Sequence, residues 1–346
     1  MPLPPRPDPS QLRRQAKDRL RAARGGDREA VDWINEVGAG LTLSATQLRL
    51  ARDLGFDSWS QLLVEVARRR VLDLRDPDEL SALVAAHPEF ATAELQNWSD
   101  HPLGASPLGY LAMARFDTHS GHWREVDDTA AAAHVLIAAG APVDGSPNDR
   151  ETPLITAASY GDADVAAVLV AAGADLDATA AADAGGVPGG TALLHAAVFG
   201  MTEVLDVLTA AGARPASFEE AAAVGDIEEW THRDVDTQTR LRGLIMAADH
   251  QRTAVIDALI AAGTPFDEPD RSFGRHALRL AAANGRAVSV RQLLEHGADP
   301  TRCGADGLDP LAHCRHGRHL GPEGAGHDAV EELLLAATER TARDVD

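Results

Sequence analysis

Thiols and imidazoles, the side chains best suited to metal chemistry, are concentrated near the C-terminal end of the sequence. They are Cys303, His313, Cys314, His316 and His319. Zinc in proteins is bound mainly by thiolate and imidazole groups, and the three histidines would share one face of a helix. Zinc sites usually pair their ligands as C-x-x-C or H-x-x-x-H, however, and this cluster has neither spacing. We therefore expect no metal, and interpret the cluster as a solvated end rich in arginine and histidine.

A second candidate group consists of His119, His122 and Trp123, for which loop packing and metal ligation remain alternatives. The sequence has no G-x-S-x-G, P-loop or H-E-x-x-H motif, the arrangements that hold nucleophiles, phosphates or catalytic zinc. We expect neither catalysis nor a bound cofactor.

The elements that must position any site are helices, to judge from composition. Hydrophobic residues make up 45% of the 346 positions but aromatic residues only 4%, so alanine and leucine supply most of the apolar surface. A core of small residues suits closely packed helices.

The formal net charge of −21 repels nucleic acid and anionic membranes, and favours a basic partner or a cation. Lys17 is the only lysine, which indicates a high-GC bacterial coding bias.

Location and oligomeric state are predicted from weaker features. Two cysteines exclude a disulfide framework. Residues 1–9 are rich in proline, lack the apolar region of a signal peptide, and are expected to form a disordered tail. Apolar runs such as residues 165–174 are too short to cross a bilayer. We expect a cytoplasmic monomer.

An internal repeat organises most of the chain. The pattern Leu-x-x-Ala-Gly-Ala, with small variations, recurs around Gly140, Gly173, Gly212, Gly263 and Gly297, at spacings of 33, 39, 51 and 34 residues. Periods of this size are typical of solenoid proteins, and units of about 33 residues occur in ankyrin-type arrays. The spacing of 51 fits one unit followed by a truncated one.

A second motif precedes these glycines at a constant offset. Thr152-Pro-Leu-Ile-Thr-Ala-Ala-Ser-Tyr-Gly161 begins 21 residues before Gly173, and Thr191-Ala-Leu-Leu-His-Ala-Ala-Val-Phe-Gly200 begins 21 residues before Gly212. Both resemble the ankyrin pattern T-P-L-H-x-A-A-x-x-G, and the resemblance covers about residues 105–337. It implies an all-α solenoid of stacked helix–turn–helix units, in which threonine caps the first helix and glycine ends the second.

Three parts of the chain depart from this pattern. An insert at 116–128 separates the two helices of the first unit, and another at 317–325 interrupts the last. Residues 217–225 resemble a first helix, but the second helix expected after it has lost the Leu-Leu-x-x-Gly-Ala ending. Residues 10–100 are predicted to be helical but lack the repeat; they resemble a leader found before bacterial ankyrin repeats, with Trp33, Phe56 and Trp59 as its core. We predict that this N-terminal region caps a repeat domain of residues 101–346.

Helix starts in the N-terminal region are predicted from capping boxes. Ser44-Ala-Thr-Gln47 and Ser58-Trp-Ser-Gln61 both have the serine and glutamine spacing of this motif.

The ankyrin resemblance also implies where a partner binds. In that family the fifth position of T-P-L-H-x-A-A and the two positions before the glycine face a concave surface. We therefore expect a protein partner, basic in charge, to be recognised there. The predicted binding residues are Tyr110, Met113, Thr156, Tyr160, His195, Phe199, Met246, Asp249, His250, Leu280, Asn284 and His313.

Two alternatives use the same surface. Capture of a small molecule is one; an unusual enzyme, using the acid–base side chains of His195, His250, Asp249, Glu220 and Tyr110, is the other. Packed helices lie about 8–10 Å apart, whereas acid–base partners need about 3 Å, so the second alternative is disfavoured.

Chelation tests the interpretation of the Cys/His cluster. Purified protein should contain far less zinc than protein chains, and chelator should leave its melting temperature unchanged, because no ligand set is expected. Stoichiometric zinc by elemental analysis, together with melting at lower temperature after chelation, would contradict this.

Overall fold

The computed structural model describes residues 3, 7–38, 40–95, 105–117, 121–230, 233–320 and 326–345. Most of these residues are in helices and the only strands among them are two of two residues each, so the all-α prediction is confirmed. The helices are α1 Pro9–Arg24, α2 Arg28–Asn35, α3 Leu43–Asp53, α4 Trp59–Leu74, α5 Pro77–Ala86, α6 Pro107–Ala112, α7 Thr129–Ala138, α8 Pro153–Tyr160, α9 Ala163–Ala171, α10 Ala192–Val198, α11 Thr202–Ala210, α12 Phe218–Val224, α13 Thr237–Asp249, α14 Thr253–Ala261, α15 Ala277–Ala283, α16 Ala287–Glu295, α17 Pro310–Leu320 and α18 His327–Val345.

Several of the helices begin at side-chain caps, including α3, α4, α10 and α12. Thr191 accepts a hydrogen bond from the backbone N–H of Leu194 at 3.3 Å, which satisfies a donor that the first turn of α10 leaves free. Ser58 caps α4 as predicted, accepting from the N–H of Gln61. The prediction for Ser44 is wrong, because α3 begins at Leu43, two residues earlier than a cap at Ser44 requires, and Thr42 is its cap.

The second helices of the repeats end at glycines in the left-handed conformation. Gly173, Gly212, Gly263 and Gly297 have φ values of +89, +99, +78 and +92°. Each turn closes back on its helix; the N–H of Ala174, for example, donates to the carbonyl of Leu169 at 3.0 Å. The conserved spacing in the sequence therefore marks a required backbone conformation.

The described residues divide into two compact units. Unit 1 contains residues 1–114 and 127–153. Its core lies between α1, α3 and α4; Phe56 is 5% exposed there, and Trp33 and Trp59 pack against the same cluster, as predicted. Helices α6 and α7 pack on α4 and α5, so the first helix pair joins the N-terminal region in this unit.

Unit 2 contains residues 115–126 and 154–346. It consists of helix pairs, the first member of which we call the inner helix: α8, α10, α13, α15 and α17. Paired alanines such as Ala247–Ala248 and Ala281–Ala282 are fully buried between inner helices, where a larger side chain would keep the helices apart. Helix α12, which follows the pair α10–α11, has no α-helical partner of its own among the described residues. It packs tightly on α13.

The insert at 116–128 contributes an antiparallel hairpin to unit 2. Strands β1 Phe116–Asp117 and β2 His122–Trp123 pair with Phe116 opposite Trp123. Strand β2 lies against α17 of the last helix pair. The sequence identified this insert by its length but did not predict its strands.

No helix in the part of the chain that the structure describes is both long enough and apolar enough to cross a bilayer.

Overpacking one alanine tests how closely the inner helices approach. Ala281→Leu should lower the free energy of unfolding by about 1–3 kcal/mol, because its methyl group is fully buried against the neighbouring helices. Ala258→Leu, on the exposed side of α14, is the matched control and should change it by less than about 0.5 kcal/mol. Equal urea-unfolding curves for both variants would contradict close packing at Ala281.

Candidate functional site

Carbonyl groups at the C-terminal ends of inner helices, and of α12, accept hydrogen bonds from side chains of a following repeat. The inner helices α8, α10 and α15 have only seven or eight residues, as has α12, and the last carbonyls of a helix have no intrahelical partner. His250 Nε2 lies 2.9 Å from the carbonyl oxygen of Ala197, and Arg252 Nε donates to that of Ala223 at 2.8 Å. Successive units are therefore joined by polar bridges at their turns as well as by apolar packing.

The buried imidazole of His250 has a defined tautomer. A carbonyl oxygen can only accept, so Nε2 carries the proton, and Nδ1 accepts from the hydroxyl of Thr202 at 2.9 Å. Burial lowers the pKa of His250 below its ordinary value of 6.5, although the carboxylate of Asp249 acts in the opposite direction. The neutral ring is therefore the form that the folded chain favours.

His195, on the preceding inner helix α10, is held in the same manner. Its Nε2 lies 3.0 Å from the carbonyl of Val187, and its Nδ1 lies 2.8 Å from the hydroxyl of Ser159. Burial lowers the pKa of His195 as well. Two successive repeats of unit 2 thus bring a hydroxyl and an imidazole within hydrogen-bond distance. The expected separation of packed helices had argued against such a contact. The fully buried ring of His195 bridges the two repeats.

Asp249 is the centre of a buried ionic network. Its Oδ1 accepts from Asn284 Nδ2 at 2.7 Å and lies 3.3 Å from Arg286 Nε. Arg286 also donates to the carbonyl of Gly200. A Cβ atom at Gly200, whose φ is +71°, would lie 2.9 Å from Asp249 Oδ2, so this approach requires glycine.

Five of the predicted binding residues are therefore interior. We expected them on an exposed stripe, and this is corrected: each is less than a tenth exposed. The physical reason for the three ionisable ones is that buried carbonyl, hydroxyl and guanidinium groups supply the hydrogen bonds that water would otherwise supply. The five are Met113, Thr156, His195, Asp249 and His250.

Three other predicted residues come together around a cavity of about 530 Å³ in unit 2: Tyr160, Phe199 and Asn284. We call it the turn-end cavity, because the turns after α8, α10 and α15, together with α17, form most of its wall. The hairpin and the residues beside it contribute residues 115 and 123–125, the start of α11 contributes residues 202–204, and α18 contributes His327.

Aromatic rings form one side of the turn-end cavity. Trp123 lies 6.1 Å from Tyr160 between ring centroids, and Phe116 contacts both rings at 5.1 and 5.7 Å. Phe199, 39% exposed, is a further wall residue. The loop-packing alternative for Trp123 agrees with these contacts, whereas His119 lies outside the described residues.

Met246 lines a separate, smaller depression of about 240 Å³ between α13 and the loop before α15. We call it the Phe273 depression, since the ring of Phe273 forms its rim and is 73% exposed. Arg275 lies over that ring, 5.3 Å from its centroid, and Arg242 pairs with Glu219 at 2.8 Å on the opposite side.

The loop that carries Phe273 is ordered by one carboxylate. Asp270 is 3% exposed; its Oδ1 accepts from the N–H groups of Ser272 and Phe273 at 2.9 and 2.8 Å, and its Oδ2 accepts from that of Arg275. The exposed ring is therefore presented on a hydrogen-bonded turn.

The remaining predicted residues are half-buried. Leu280 and His313 lie on α15 and α17 at the positions equivalent to Met246, and His313 Nε2 is 3.1 Å from Asp306 Oδ2. Tyr110 belongs to unit 1, where its hydroxyl donates to Asp73 at 2.7 Å.

The Cys/His cluster near the C-terminus does not converge. Cys314 is buried and lies 3.4 Å from the carbonyl of His327, whereas Cys303 is exposed on a loop. His316 and His319 are exposed on α17, and His316 lines the turn-end cavity. Among the described residues, no group of three or more His, Cys, Asp or Glu side chains is placed to hold a metal ion.

Comparison with known families explains the repeated turns. A family model described as ankyrin repeats in three copies matches residues 126–218, and a single ankyrin repeat matches residues 273–305. The chain contains ankyrin repeats. The crystal structure of the human ASB11 ankyrin repeat domain is 23% identical, with 67% of this chain and 97% of that chain covered and a TM-score of 0.32. The curated proteins include no match.

The stretch between the two matched segments, residues 219–272, is less regular. It contains most of α12, which has no α-helical partner of its own among the described residues, together with α13 and α14. His250 and Arg252, which bridge to the preceding ankyrin units, also belong to it.

Sequence reasoning missed Phe273 and Arg286. Phe273 lies in the loop between two units, and the Asp270 to Gly274 sequence around it is a turn signal that could have drawn attention to it. Nothing local marks Arg286 as a partner of Gly200, because the two are far apart in sequence.

The buried histidines predict loss of stability on acidification. The pKa values of His195 and His250 are lowered in the folded chain, so the unfolded chain binds more protons below pH 6.5 and unfolding becomes easier. The free energy of unfolding from urea titrations should be highest above about pH 7 and fall between about pH 6.5 and 5.5.

A variant separates this effect from the titration of carboxylates. His250→Gln should be less stable than wild type at pH 7.5, yet lose less stability on transfer to pH 5.5, because its side chain does not titrate. If wild type and variant lose the same amount, the buried imidazole of His250 is not the source of the effect.

Proposed function

We propose that this chain is a non-enzymatic binding protein that recognises a protein partner through the inner-helix face of unit 2, centred on the Phe273 depression. The observation that carries the proposal is the exposure of Phe273, at 73%, on a turn whose backbone is held by Asp270. A rigid, exposed aromatic ring loses little conformational freedom on binding, and such rings carry much of the energy of protein interfaces.

The surroundings of the ring support the same function. Met246 lines the depression, and methionine adapts its shape to varied apolar groups. Arginine, represented by Arg242 and Arg275, is enriched in interfaces together with aromatic residues. Ankyrin repeats typically mediate protein–protein interaction, and the architecture itself does not specify the partner.

The charge of the chain favours a basic partner. A net charge of −21 attracts cationic surfaces over a distance comparable to the Debye length, about 8–10 Å in physiological salt. Association should therefore slow as salt rises, whereas dissociation should depend mainly on the apolar contact at Phe273.

Truncation of the exposed ring tests the proposal. Partners captured from the source organism by wild-type protein and by Phe273→Ala should be compared by mass spectrometry, and affinities for a shared partner measured by calorimetry. Phe273→Ala should weaken binding by about 2 kcal/mol, roughly thirtyfold, because it removes the ring of the interface. Its melting temperature should match wild type, since the ring is mostly exposed.

Val288→Ala is the matched control. Val288 is 52% exposed on α16 and lies outside the depression, so its truncation should leave the affinity unchanged. Wild-type affinity in Phe273→Ala, with loss of binding on substitution in residues 10–100, would instead identify the N-terminal region as the recognition element.

A further inference from the structure

The turn-end cavity is separate from the Phe273 depression and shares no lining residue with it. Its volume of about 530 Å³ lies within the range of small-molecule sites, about 300–1,000 Å³. Rings of Trp123, Tyr160 and Phe199 line it. The faces of such rings carry negative electrostatic potential and attract organic cations.

The arginines at the turn-end cavity already have anionic neighbours. Arg115 lies 3.7 Å from Asp162 Oδ2 and 3.5 Å from Asp164 Oδ2, so two carboxylates flank its single charge. Arg286 lies 3.3 Å from Asp249 Oδ1. These two guanidinium groups therefore give the cavity little net positive charge.

Two carboxylates at the turn-end cavity are, by contrast, available. Glu125 and Glu203 both line it and are both exposed. Neither carboxylate forms a hydrogen bond or ion pair with another residue in the described ranges. With their immediate neighbours included, the three lining arginines face five carboxylates, so the local charge is negative like that of the whole chain.

We propose that the turn-end cavity binds an organic cation with an apolar body, such as an aryl or alkyl ammonium or a guanidinium compound. The apolar body would contact Trp123, Tyr160 and Phe199, and Glu125 and Glu203 would neutralise the charge. An anion would be repelled by the same carboxylates, and a neutral compound would gain only the apolar contact. This activity is additional to partner binding at Phe273 and does not depend on it.

Three probes with one benzyl body test the charge requirement. Benzyltrimethylammonium should bind saturably to the full chain in calorimetry, at least about tenfold more tightly than benzyl alcohol and more tightly still than benzylsulfonate. Acetyl-arginine amide is titrated alongside. If benzyltrimethylammonium binds more tightly than acetyl-arginine amide, the inference is supported and the ligand class is a free small cation. If acetyl-arginine amide binds more tightly, the inference is supported and the ligand class is a basic side chain.

Variants of the wall locate the site. Glu125→Gln combined with Glu203→Gln should weaken cation binding at least about tenfold, and Phe199→Leu about fivefold, at unchanged melting temperature. Glu295→Gln, an exposed position on α16 outside the cavity, makes a charge change of the same kind and should bind as wild type does.

Three results would overturn the inference: no saturable binding of either cation, equal binding of cation and sulfonate, or equal losses in Glu295→Gln and the double variant. Because Phe273→Ala leaves the cavity intact, it should retain wild-type cation binding even if it loses a protein partner, so the two proposals fail separately.

Discussion

The last carbonyl groups of short helices need hydrogen-bond donors, and this need determines how the successive repeats of unit 2 are joined. A helix of seven or eight residues leaves half or more of its carbonyl groups without an intrahelical donor. Tight turns supply donors to some of these carbonyls. Others accept hydrogen bonds from side chains: His250 reaches the carbonyl of Ala197, Arg252 that of Ala223, and His327 that of Ala283. Since an unpaired buried carbonyl costs about 1–3 kcal/mol, these bridges restrict which units can be neighbours.

The same bridges bring the turns of unit 2 close together. Arg286 extends from the start of α16 to the carbonyl of Gly200, two helix pairs earlier, and Asp249 lies between them. In the last pair, Gly317 approaches the carbonyl of Ala283 so closely that a Cβ atom would lie 1.8 Å from it. Convergence of these turns, completed by the hairpin of residues 116–123, leaves the turn-end cavity between them.

Unit 2 therefore has two surfaces with different chemistry. The Phe273 depression is small and carries an exposed ring, a feature suited to a macromolecular partner. The turn-end cavity is larger, aromatic and bordered by free carboxylates, features suited to a cationic ligand. Helix packing builds both, and repeats of one architecture can differ in what they bind because the residues at their turns and loops differ.

The sequence by itself determined the repeat, the ends of most helices and the small-residue core. Glycine after the second helix, threonine or serine before the first, and paired alanines act through contacts within about ten residues, so their pattern is visible without a structure. Tertiary structure alone decided which side chains at the predicted binding positions are exposed. His195, Asp249 and His250 were expected to face a partner, but distant carbonyl, hydroxyl and guanidinium groups stabilise them in the interior. The repeat pattern identified Tyr160, Phe199 and Asn284 but did not show that they surround one cavity. Their convergence, the hairpin beside them and the exposure of Phe273 depend on contacts between residues far apart in sequence. No local pattern records such contacts.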